Sequence, residues 1–287
     1  MKQSLIRNKR FQDKLLRTGA YFLLIVGSIL CLFPFAWMIS TAFKSPPQIM
    51  AVPIQWLPSP WTLENFTTAL QRFDFARYFG NSMLIASLTT VLSVIITSLA
   101  GYAFAKRKFV GKEGLFNFLL ATMTIPGAVL MPPLFLILLR LGWINHYVGV
   151  IVPFCVGVSN IFIMRQFIST IPSELEDAAR IDGASEIGIW LRIILPLSRP
   201  AMATVGIFSF VGSWDGFLWP LIVLKDKDMW TLNVALGLLQ MEYTSAEASP
   251  WGVMMAASLL TTLPLILIFL FFQRYFLSGL TLGAVKG

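Results

Sequence analysis

Six apolar stretches, each about as long as a bilayer is thick, constrain this chain more than any other feature. A hydrocarbon core of about 30 Å takes about 20 residues of helix. Runs on that scale occupy residues 20–43, 82–105, 115–139, 147–164, 201–224 and 251–272. Backbone inside lipid must satisfy its own hydrogen bonds, so runs of this kind predict an all-α integral membrane protein with six transmembrane helices. Composition agrees and excludes a soluble domain: 56% of the 287 residues are hydrophobic and 13% are charged. Mean hydropathy is +0.74. The third run contains Pro126 and the pair Pro132-Pro133, which either shape a break in the pore or are kinks facing other helices.

The net charge of +8 speaks for orientation rather than for a nucleic-acid partner. With the N-terminus inside, Lys2, Arg7, Lys9, Arg10, Lys14 and Arg17 precede the first span, and Lys106, Arg107, Lys108 and Lys112 follow the second. Arg165, Arg180, Arg192 and Arg199 follow the fourth span, and Arg274 and Lys286 follow the sixth, all on the same side. Lys44, Arg72, Arg77, Arg140, Lys225 and Lys227 fall outside. This asymmetry predicts that both termini are cytoplasmic. The expected organisation is a basic amphipathic segment at 1–19 lying along the inner surface, a first helix at 20–43, an external segment at 44–81, a five-helix core at 82–272 and a cytoplasmic tail at 273–287. The first run is longer than the apolar part of a signal peptide and lacks a small-x-small cleavage site, so it reads as a retained helix. Cys31 and Cys155 lie within apolar runs and read as buried small hydrophobes, and the lone His146 reads as an interfacial residue.

The loop at 165–200 is too long for a connector. Ser173 and Glu176 have capping-box spacing, so a helix should begin there; Gly183 offers a left-handed stop and Ser185 a second cap. In the second helix Ile187, Trp190, Leu191 and Ile194 share one face, and Pro196 should end it. The product is an inner-side helical hairpin with small residues, Ala178 and Ala179, where another surface can approach closely.

Ala178-Ala179, Gly183, Ile193 and Leu195-Pro196 reproduce the spacing of the signature (EAA) loop of permease subunits of ATP-binding-cassette (ABC) importers, and the chain resembles that family. The resemblance implies the type I importer permease fold, with the hairpin acting as coupling helices in a cleft of an ATPase subunit. Glu176, Asp177, Ala178, Ala179, Asp182, Gly183, Ile193, Leu195 and Pro196 are then the coupling residues. The family places Glu directly before the two alanines, where this chain has Asp177, so either Glu176 or Asp177 supplies the acidic contact. The end of the chain, from Gln273, resembles the tail of the second, smaller permease of maltose-type carbohydrate importers. That tail reaches between ATPase subunits, which implies the same for Gly283, Ala284, Val285, Lys286 and Gly287. Ser213 to Pro220 is similar to a Trp-rich stretch of the same subunits, and the similarities extend from about Phe66 to the end. The implied partners are a second permease in a heterodimer, two ATPase subunits binding MgATP, an extracytoplasmic solute-binding protein, a sugar and the lipid of the bacterial cytoplasmic membrane. The polar outer loop at 225–250, with Glu242 and Glu247, is expected to meet the binding protein.

No ATP site is expected in this chain: its Gly111-Lys112 is followed by Glu113, not by the Ser or Thr of a phosphate-binding loop. No nucleophile with a base and no metal-ligand spacing suggests catalysis or a cofactor. Trp214 and Asp215 are candidate sugar-path residues, since aromatic faces stack on sugars and an ionisable group in an apolar run is functional by default; Asp215 is equally read as an interface-anchored residue. The main expectation is a subunit importing an oligosaccharide or disaccharide. The alternatives are a glycerol-phosphate or polyol permease and a self-sufficient secondary carrier, which would call for inverted repeats that are not evident. An assembly factor without a pathway is a further class.

Overall fold

In the computed structural model the backbone is described for residues 2–72, 74–244 and 251–284, and side chains for 16–71, 74–239, 241 and 251–271. The described residues contain helices and no strand. In chain order they are α1 (Lys2–Ala42), α2 (Pro46–Ile49), α3 (Glu64–Arg72), α4 (Phe75–Lys106), α5 (Lys112–Thr122), α6 (Gly127–Leu141), α7 (Tyr147–Ile151), α8 (Val158–Ser169), α9 (Glu174–Ile181), α10 (Glu186–Ile189), α11 (Leu195–Leu197), α12 (Arg199–Trp214), α13 (Leu218–Val223), α14 (Leu232–Thr244) and α15 (Trp251–Ala284). A π-helical turn, Trp190–Ile194, joins α10 to α11. The chain divides into two units, residues 1–72 with 242–260 and residues 73–241 with 261–287, so α15 contributes to both.

In the first unit the basic segment continues α1 without a break, rather than forming a separate surface helix. The most apolar stretch of Leu16–Ala42 buries none of its residues within this chain, and only Thr41 and Ala42 at the end of the helix are buried. Cys31 is therefore exposed, contrary to expectation, while Cys155 in the second unit is buried. After α1 the chain is pinned by Asn65, whose Nδ2 donates to the carbonyls of Ala42 at 2.9 Å and Lys44 at 2.7 Å. Lys44 lies over the Trp37 ring, 4.2 Å from its centroid, and burial pushes its ammonium below the ordinary lysine range.

The second unit is organised around α4, which packs along α8 and α12. Helices approach closely in lipid when their contact faces are small, and the buried side of α4 carries Ala86, Thr89, Ser93, Thr97, Ser98 and Gly101. At Gly101 the two backbones nearly touch: a Cβ there would lie 2.5 Å from Cβ of Met164 on α8.

Three helices, Leu16–Ala42, Phe75–Lys106 and Trp251–Phe271, are long and apolar enough to cross a bilayer unbroken; the bent pairs α5 with α6, Tyr147–Phe154 with α8, and Glu186–Leu197 with α12 bring the count up to six if each pair is one span. The third run breaks where Pro126 predicts: α5 and α6 meet at 103°. Pro126 lacks an N–H and drives Ile125 away from helical angles, whereas Pro132 and Pro133 stay within α6. Tyr147–Phe154 and α8 bend by 42°. The fifth run, expected to be continuous over 201–224, stops at Trp214 and resumes as α13. Pro220 accounts for this break, because its ring would clash with the Gly216 carbonyl if the helix ran on. The segment 225–250 is likewise no simple polar loop. Much of it is α14, with Leu232, Val234, Ala235 and Leu239 buried; Glu247 and the side chain of Glu242 lie outside the described residues.

Candidate functional site

The hairpin at 173–197 assembles from local rules with one long-range exception. Helix α9 starts where expected, and its first turn carries Glu174, Glu176 and Asp177, favourable at a helix N-terminus. The capping box itself does not form. Ser173 has helical angles (φ −71°, ψ −21°), and its Oγ accepts from Lys106 Nζ at 3.3 Å.

Glu176 is instead turned inward, with its side chain 3% exposed. It accepts from Tyr102 OH at 3.2 Å, from Arg180 Nη2 at 3.3 Å and from Arg107 Nη2, and Lys106 Nζ stands 3.7 Å away. Arg107 reaches Glu186 of α10 at 2.9 Å, and its guanidinium lies 4.6 Å from the centroid of the Tyr102 ring. The end of α4 is thereby bolted to α9 through the buried Glu176 and to α10 through the exposed Glu186. Asp177 points the other way: its side chain is 65% exposed and pairs with Arg180 Nη1 at 2.8 Å. Against some desolvation, Glu186, Glu176 and Asp177 hold the Arg180 guanidinium above its ordinary range.

The turn follows the expected chemistry. Gly183 takes φ +78°, and Ala184 N–H reaches back to the Ala179 carbonyl at 2.9 Å, closing a Schellman turn. Ser185 Oγ accepts from Gly188 N–H at 3.2 Å and caps α10. The second helix differs from expectation in register. Trp190 and Ile194 are buried along with Ile189, but Ile187 and Leu191 are exposed. The π-turn is the reason. Leu195 N–H bonds to the Trp190 carbonyl, one residue further back than in an α-helix, and the helical stretch ends at Leu197, one residue after Pro196, where the chain bends by 82° into α12.

The hairpin consequently shows an outer face of Asp177, Ala178, Ile181, Asp182, Gly183 and Ile187, with Ile181 87% exposed. Ala179, Ile193 and Leu195 pack against the buried cluster of Tyr102, Met164, Ile168 and Trp190, and Pro196 is exposed. Gly283 and Ala284 end α15, while Val285, Lys286 and Gly287 lie outside the described residues.

Further along α12 a cavity of about 410 Å³ opens among α4, α8, α12 and α13. Beside it Asn160 Nδ2 donates to Ser93 Oγ at 3.2 Å and to Ser209 Oγ at 3.0 Å, and the two hydroxyls are 3.0 Å apart, a polar tie between α4, α8 and α12. Ser213 and Gly216 line the cavity, but the two residues between them do not. Trp214 is buried: Phe210 stacks on it with centroids 5.7 Å apart, and its Nε1 donates to the Thr261 carbonyl at 3.3 Å. Asp215 is exposed and caps α12.

Sequence reasoning treats Lys106 and Arg107 only as inner-side charge and passes over Tyr102, the third member of the clamp. It also overlooked Asn160, although an amide inside an apolar run is itself a signal.

Residues 93–281 match the family model of the binding-protein-dependent transport system inner membrane component. The chain belongs to this family and is a multi-pass permease subunit of an ABC importer. Its relatives include the arabinooligosaccharides transport system permease protein AraQ of Halalkalibacterium halodurans, 37% identical over 93% of this chain and 96% of that one. The trehalose/maltose transport system permease protein MalG of Thermococcus litoralis is 38% identical over 92% and 96%. Among solved structures, a chain of a bacterial ABC transporter involved in import of the acidic polysaccharide alginate superposes with TM-score 0.82 at 23% identity, covering 92% of this chain and 98% of that one.

Proposed function

We propose that the chain is a carbohydrate-importing permease subunit driven by partner ATPases that dock on the outer face of the 173–197 hairpin. The observation that carries this reading is the split of the acidic pair: Glu176 is consumed inside the fold, and Asp177 stands exposed beside Ala178, Ile181 and Gly183. Ile181 and Ile187 are exposed on this face together with Ala178, and Asp177 is the carboxylate that would meet a basic group on the ATPase. Both termini and the hairpin are cytoplasmic in this reading, and the tail 283–287 reaches between the ATPase subunits. A second permease completes the pathway, MgATP binds on the ATPases, and an extracytoplasmic binding protein delivers the solute. Relatives named for arabinooligosaccharides, trehalose/maltose and lactose support an oligosaccharide or disaccharide as cargo. Closure of the ATPase dimer pushes the hairpin, and the Glu176 clamp passes that motion to α4.

The test is Gly183. Its φ of +78° disfavours any side chain, and a Cβ there meets nothing within 4 Å, so the fold has room for one while the docked partner does not. Gly183→Asn, which tolerates left-handed angles, separates strain from bulk when compared with Gly183→Val. In the complete transporter, Gly183→Val should abolish binding-protein-stimulated ATPase activity while membrane insertion is retained. Full stimulation in Gly183→Val would refute the docking.

A further inference from the structure

Beyond α1 the chain runs without a charge from Ser45 to Leu63, a stretch that includes Pro46, Pro47, Pro53, Pro58 and Pro60. This stretch folds back on the helix it leaves. Ser40 Oγ donates to the Trp56 carbonyl. The Trp56 ring meets Trp37 edge-on with centroids 5.6 Å apart and Phe33 at 6.1 Å. Gln48 Nε2 donates to the Pro60 carbonyl at 3.3 Å, and Thr62 N–H to that of Phe43 at 3.0 Å, which closes the fold-back. Trp61 sits at the level of the helix end, 5.3 Å from the Phe43 ring. At about 1.5 Å per helical residue, Trp37 and Phe33 lie about 8 and 14 Å back from Ala42, so Trp56 is carried down the side of α1 rather than away from it. The apolar surface of the fold-back is left bare. Val52 is 95% and Leu57 73% exposed, and Ile54, Trp56 and Trp61 are exposed with them.

We propose that residues 45–63 form a hook seated in the membrane interface, with phospholipid covering Ile54, Trp56 and Leu57. The seat is independent of the solute carried. Helix length sets its depth. The stretch Leu16–Ala42 has 27 residues, about 40 Å of helix, against a hydrocarbon core of about 30 Å. Centred on that core, its end stands about 5 Å beyond the hydrocarbon. Trp56, beside Trp37 and Phe33, then lies roughly 3 to 9 Å inside it, about the depth of an interfacial anchor. Trp61 stays at headgroup level, where amphipathic rings are favoured. Composition separates lipid from a protein occupant. A surface that docks a soluble partner carries a polar rim, whereas the hook has no charge, and Lys44 at its border is 1% exposed and lies over the Trp37 ring. Its prolines lack an N–H, so the irregular backbone brings fewer donors in need of water into the interface. Interfacial anchors of this kind set the tilt of the helix that carries them, here α1.

The test is made on the complete importer, freed of its native cysteines and reconstituted in vesicles of phosphatidylethanolamine and phosphatidylglycerol. A nitroxide is attached at Leu57→Cys or, in a second sample, at Ile54→Cys. Both side chains are exposed, so neither substitution perturbs the fold, and binding-protein-stimulated ATPase activity reports that the labelled importer is intact. Collision of the nitroxide with oxygen, which concentrates among acyl chains, is compared with collision with a water-soluble nickel chelate, and labelled lipids of known depth calibrate the ratio. The expected result is that oxygen collides several times more often than nickel at both positions. A ratio at Leu57 dominated by nickel would place the hook in water and overturn the proposal. Slow collision with both reagents at Leu57 would show a protein cover, from the second permease or the binding protein, and would overturn it equally. Either result would leave the import reading standing.

Discussion

Replacing Glu176 by Ala should loosen the hairpin from α4, and the structure sets the scale. The lost carboxylate is 3% exposed and faces Lys106 and Arg107, whose side chains are 8% and 26% exposed. Removing one partner of a buried ion pair costs about 3–5 kcal/mol. Here the lower end applies, because Lys106 keeps the Ile171 carbonyl and Ser173 Oγ, and Arg107 keeps Glu186. Arg180 adds little, since it is 37% exposed and screened. A loss of about 3 kcal/mol corresponds to roughly a hundredfold change in a local opening equilibrium. Hydrogen exchange of the assembled importer in detergent should therefore show α9 amides exchanging about a hundred times faster in Glu176→Ala. Glu176→Gln retains an acceptor for Tyr102 and should lose roughly half as much. Asp177→Ala should leave α9 exchange within a few-fold of wild type, because that carboxylate is 65% exposed, while lowering binding-protein-stimulated ATPase activity. Unchanged α9 exchange in Glu176→Ala, or equal acceleration in Asp177→Ala, would refute the division of labour between the two carboxylates.

Gly101→Leu should disrupt the contact between α4 and α8, because even a Cβ there falls 2.5 Å from Met164 Cβ and 3.0 Å from the Arg165 nitrogen. Overpacking of this kind costs about 1–3 kcal/mol, to be read as a lower midpoint in detergent-resistance unfolding. Ser185→Ala removes the cap of α10 and should cost about 1 kcal/mol, seen as faster exchange at Gly188 with exchange in α9 unaltered. Pro196→Ala should allow the π-turn to relax towards α-helical hydrogen bonding, so that Trp190, buried in wild type, gains exposure to a fluorescence quencher.

What the amino-acid order discloses depends on how far away the deciding partner lies. The apolar runs are readable because bilayer thickness imposes length on any spanning helix, whatever surrounds it. Gly183 and Ser185 are readable because turn and cap chemistry is settled within five residues, and both take the expected geometry. Glu176 is different. Its spacing from Ser173 satisfies the capping rule, yet Lys106 and Arg107, some 70 positions earlier, outbid the backbone for its charge. Adjacent helix positions differ by about 100° in direction, so once Glu176 faces α4, Asp177 must face outward, and the exposure of the proposed docking acid follows from a contact that no local pattern encodes. The same limit explains Trp214. An apolar run with a Trp-Asp pair suggests a continuous pore-lining helix, but Pro220 breaks it, and packing against Phe210 turns the indole inward. The uncharged polar residues Thr89, Asn160 and Ser213 are left facing the cavity, each unremarkable alone and separated by more than fifty residues in the chain. A cavity built from such residues becomes visible only when three helices bring them together.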